Sequence, residues 1–121
     1  MSLTTDVFTY NRPGYYRVYY IVTKSQDVVT ALETPHPVVL MFWASWNEPC
    51  KVMMRPFWDL AVAKRKEAVF LRVDVDKFRD IVEQYQVEAL PTFLLIKGGV
   101  VKGRVVGAKV DELNTAIKAR I

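Results

Sequence analysis

Val38 to Ala44 reads Val-Val-Leu-Met-Phe-Trp-Ala, an apolar run with no polar interruption. A strand with one wet face alternates polar and apolar residues, whereas a continuous run marks a strand covered on both faces. Such strands sit at the centre of a sheet with helices packed on either side, so this one segment already restricts the chain to an α/β design.

The flanking segments agree. Arg17 to Val22 is aromatic and β-branched and reads as a strand. Ser25-Gln26-Asp27 opens a short helix to about Glu33, with Ser25 as its N-cap and Val28, Val29 and Leu32 at helical spacing. Thr34-Pro35-His36-Pro37 ends it, because each proline pushes the residue before it out of the helical region. Asn47 to Lys66 reads as a long helix with Asn47 as cap and Pro49 in its first turn, and Met53, Phe57, Leu60 and Ala61 sharing a face. Ala68 to Val75 is a second buried strand, followed by a helix from Asp76 to Tyr85 that Asp76 caps. Thr92–Lys97 and Val101–Val106 flank Gly98-Gly99, a hairpin signal. Val110 to Ile121 closes the chain as an amphipathic helix. The order β-α-β-α-β-α-β-β-α gives an α/β three-layer sandwich, a mixed central sheet flanked by helices, over residues 17–121. Residues 1–16, polar and Tyr-rich, form an N-terminal arm.

With 121 residues the chain fits one domain, domains commonly running to about 100–150 residues. Its single cysteine excludes an intrachain disulfide and suits a reducing, cytoplasmic address. No apolar run is long enough to span a membrane, and Met1 to Asn11 lacks a signal pattern. The net charge is +4, but its one tight cluster, Lys64-Arg65-Lys66, falls at a helix end where cations complement the dipole, so nucleic acid is not expected as a partner. One cysteine and one histidine, His36, cannot assemble a zinc ligand set. No metal or other cofactor is expected.

Phe42-Trp43-Ala44-Ser45-Trp46-Asn47-Glu48-Pro49-Cys50-Lys51 resembles the active-site segment of the thioredoxin family, which in redox-active members reads Trp-Cys-Gly-Pro-Cys-Lys. Leu90-Pro91-Thr92 resembles the loop whose cis proline faces that site, and Gly98-Gly99 and Gly107 match the hairpin turn and the glycine after the last strand. The resemblance implies the thioredoxin fold and a protein-binding surface made by Trp46, Asn47, Glu48, Pro49, Leu90, Pro91, Thr92 and Gly107. It also implies that the backbone beside the cis proline pairs with a bound peptide as an added strand.

The departures bear on function. Asn47 stands where the nucleophilic cysteine would be; it preserves the helix cap and removes the thiolate that the helix N-terminus would stabilise. Cys50 aligns with the second, resolving cysteine, which has no mixed disulfide to resolve here. It reads either as a small buried structural residue or as a reactive thiol. Met41 aligns with the buried aspartate of active relatives, and Arg72, aligned with a lysine beside that aspartate, loses its partner and is expected to snorkel outward. Pro56 follows Cys50 by one residue more than the kinking proline of redox-active members. The Trp-X-Glu-Pro-Cys-Lys pattern is similar to the thioredoxin-like domain of multidomain monothiol glutaredoxins, which implies fusion to or association with a glutaredoxin domain.

Three functions are therefore expected in order: a redox-inactive protein-binding or regulatory module; a single-cysteine thiol–disulfide oxidoreductase using Cys50; and a subunit of a larger assembly held through the Tyr-rich arm. Asp74 and Asp76 read as a solvated strand end and not as an acid–base pair.

Overall fold

The computed structural model describes residues 19–121. The arm and the first two residues of the expected first strand lie outside them. Nine elements follow in the order β1 (Tyr20–Ile21), α1 (Gln26–Leu32), β2 (Val38–Trp43), α2 (Glu48–Ala63), β3 (Val69–Asp74), α3 (Arg79–Gln84), β4 (Thr92–Lys97), β5 (Val100–Val106) and α4 (Val110–Arg120). The strands form one sheet in the order β1-β3-β2-β4-β5. β1, β3 and β2 run parallel, while β4 is antiparallel to both β2 and β5.

The apolar run becomes the central strand for the reason its composition implied. Val38, Leu40 and Phe42 point to one side of the sheet, where they pack with Val28 and Ala31 of α1 and Ile81 of α3. Val39 and Met41 point to the other side, against Met53, Phe57 and Ala61 of α2 and Leu113 and Ile117 of α4. Phe57 anchors this second layer, with Phe70 and Phe93 at ring-centroid distances of 5.6 and 6.0 Å. Both glycines of the β4–β5 turn take positive φ, +60° at Gly98 and +77° at Gly99, which a side chain would resist. A bulge between Leu95 and Ile96 pairs Val101 and Gly103 with consecutive residues of β4, leaving Lys102 as the extra residue on the edge strand.

Three local expectations change. Ser25 makes no side-chain cap at α1. Instead Asp27 reaches back, its carboxylate accepting from the Thr23 and Lys24 N–H groups at 2.9 and 3.2 Å and from the Thr23 hydroxyl at 3.1 Å. α3 begins at Arg79 and not at Asp76, because the Asp74 carboxylate and carbonyl take the N–H groups of Asp76, Lys77 and Phe78 into a turn. Asp76 therefore caps nothing. α2 ends at Ala63, where Lys64 donates its N–H to Leu60 and the chain turns toward β3.

Candidate functional site

The site is built where β2 gives way to α2. Asn47 leaves the strand in an extended conformation, φ −95° and ψ 116°, and its side-chain oxygen accepts from the Cys50 N–H at 3.0 Å. One of the unpaired donors of the first helical turn is thereby satisfied by a neutral amide. Glu48 and Pro49 follow in that turn, both exposed, with Glu48 paired to Lys51 at 3.1 Å. Cys50 is a free thiol with no exposed surface. Burial pushes its pKa above the ordinary 9.0; a backbone hydrogen bond with Ala44 opposes this and is the smaller effect.

Register brings the second segment alongside. Thr92 opens β4 opposite Phe42 on one side and Val106 on the other. The Leu90–Pro91 peptide is cis, and the Pro91 carbonyl accepts from the Gly107 N–H at 2.8 Å, with Gly107 at φ +95°. Residues 46–50, 90–92 and 107 thus meet at one end of the sheet. Their contributions differ. Pro91 and Thr92 are buried, and the Thr92 hydroxyl donates to the Ala89 carbonyl at 2.7 Å, so neither offers a side chain to the surface. Leu90 is half-buried, and among the described residues no hydrogen bond engages its backbone N–H or carbonyl.

Trp46 is 64% exposed, and its indole N–H donates to the Asp76 carboxylate at 2.9 Å. This is the role that Asp76 has in place of a helix cap. Nothing local to the sequence points to it, since the partners are thirty residues apart and meet only because β3 lies beside β2.

Arg72 also departs from expectation. It does not snorkel outward. The guanidinium lies 4.2 Å from the Trp43 ring centroid and 5.2 Å from that of Tyr19, and donates to the Tyr19 hydroxyl at 3.1 Å. Its buried Nε has no hydrogen-bond partner among the described residues. The side chain stays inside because an aromatic slot on the α2 face accepts it. Met41, its register partner on β2, is fully buried.

A mixed five-stranded sheet between two helix layers, with a helix opening beside a cis-proline loop, defines the thioredoxin fold. The thioredoxin family model matches residues 20–119. An H-type thioredoxin of Oryza sativa subsp. indica is 46% identical over 93 residues, covering 76% of this chain and 75% of its own length. One from Picea mariana is 43% identical over 89 residues, 74% of this chain and 70% of its own. Among solved structures, the thioredoxin of Trypanosoma brucei brucei superposes with a TM-score of 0.82 at 26% identity, over 91% of this chain and 96% of the other. The chain belongs to the thioredoxin family.

Proposed function

We propose that this chain is a protein- or peptide-binding module that runs no dithiol–disulfide cycle. The observation that carries this reading is Asn47 Oδ1 on the Cys50 N–H, at the helix start where a first thiol would stand. In a dithiol cycle a thiolate attacks a substrate disulfide, and a second thiol of the same protein then expels the reduced substrate. Here the one thiol of the sequence is buried, which favours its protonated form, and the 121 residues hold no second cysteine to begin or finish the exchange.

What remains is the recognition surface. An extended segment laid beside Leu90 would find its unengaged N–H and carbonyl, with exposed Trp46 at the same end of the sheet as an apolar anchor. Glu48 and Pro49 would border it, with Gly107 holding the proline loop through Pro91. The Asn-Glu-Pro-Cys sequence extends the proposal to association with a glutaredoxin domain in a cytoplasmic, reducing setting.

The single-cysteine oxidoreductase is the competing reading, and thiol reactivity separates the two. Native Cys50 is expected to react with iodoacetamide at neutral pH at least about tenfold more slowly than the same thiol in urea-unfolded chain. A native rate equal to or above the unfolded one overturns the proposal.

A further inference from the structure

We infer that the end of the sheet opposite Trp46 is a docking surface for an acidic protein segment, separate from the site proposed above. The topology gathers cations there. β4 runs from Thr92 beside the site to Lys97 at the far end, β5 starts there, and α2 and α4 both finish there. Lys66, Lys97, Lys102, Lys118 and Arg120 are all exposed, and among the described residues none has a carboxylate partner. Among the described residues the acidic side chains of that end are few: Glu33 closes α1, and Glu67 is paired to Lys64 at 3.4 Å.

Helix ends account for part of this, because cations complement the C-terminal dipole in the last turn of α4. They do not account for Lys97 and Lys102, which sit on the hairpin. The bulge puts Lys102 on the edge strand as its unpaired residue. These two line a small, shallow groove together with Pro37, Arg120 and Ile121. Beside it Val100 and Val101 are 54% and 39% exposed. Cations around exposed aliphatic side chains fit a segment whose carboxylates flank an aliphatic residue. Among the described residues no aromatic side chain lines the groove to stack a base, so a nucleic-acid strand fits less well.

The test is amide NMR shift mapping at low salt with a synthetic peptide of glutamates flanking leucine. The expected result is shifts at residues 97–102 and 118–121 that vanish with the glutamine version of the peptide. Lys97→Glu with Lys102→Glu should weaken binding by about tenfold or more, and Lys97→Arg with Lys102→Arg should retain it. Absent shifts, equal response to the glutamine peptide, or shifts confined to residues 46–50 and 90–92 overturn the inference. So does tighter binding of a single-stranded oligonucleotide or of phosphatidylserine vesicles. Because the two surfaces lie at opposite ends, failure here leaves the Trp46 reading standing.

Discussion

Arg72 and Met41 show how a cation is housed beside a buried apolar neighbour. Arg72 is the register partner of Met41, and its guanidinium rests on two aromatic rings with the Nε–H unpaired among the described residues. Ring contacts of this kind contribute about 0.5–2 kcal/mol, and an orphaned buried donor costs about 1–3 kcal/mol, so the two effects roughly offset. A carboxylate placed at position 41 would be costly to bury yet would meet a nearby cation. Met41→Asp is expected to lower stability by about 2–4 kcal/mol in urea unfolding, and by at least about 1 kcal/mol more in an Arg72→Met background. Equal penalties in the two backgrounds would mean that the carboxylate and the guanidinium do not interact.

At the scale of elements, the start of α1 tests which side chain satisfies its first turn. Asp27 accepts three hydrogen bonds from residues ahead of the helix, whereas Ser25 caps nothing. Asp27→Ala should therefore lower the urea midpoint by the equivalent of about 2 kcal/mol, and Ser25→Ala by less than about 0.5 kcal/mol, both with unchanged slope. The reverse order would restore Ser25 as the cap. Sequence could not separate these residues, since both are good capping types within one turn. Where a single strong local signal dominated, the chain was legible: the apolar run of β2, the glycine pair before β5, and Asn47 followed by Pro49 at α2. What escaped depends on distant strands becoming neighbours. Asp76 finds Trp46, and Arg72 finds Trp43 and Tyr19, only after β1, β3 and β2 assemble. The same holds for the proline loop, whose three residues are expected at the surface from the motif: Pro91 and Thr92 are buried, and Leu90 is half-buried against the core of the α1–α3 side.

For the whole molecule, the fold separates the end that carries Trp46 and the Asn47 cap from a basic end, and a buried thiol and a half-buried phenol link its stability to pH. Burial raises the pKa of Cys50 above 9.0 and that of Tyr85 above 10.0. Both groups are neutral when protonated, so their contribution is complete below the unfolded values. It is lost as pH rises toward the raised folded values, because the unfolded chain ionises first. The urea midpoint should fall from about pH 9 upward, and Cys50→Ala should make that fall shallower; an identical fall in the variant would place its origin elsewhere. The central claim concerns the same thiol. Among the described residues no helix is long and apolar enough to cross a membrane. The measurement is reduction of insulin disulfides with dithiothreitol as the electron source, comparing wild type with Cys50→Ser and Asn47→Cys. The predicted result is that wild type and Cys50→Ser both match buffer while Asn47→Cys gains turnover. Wild-type turnover that Cys50→Ser abolishes would contradict the account and make Cys50 a working nucleophile.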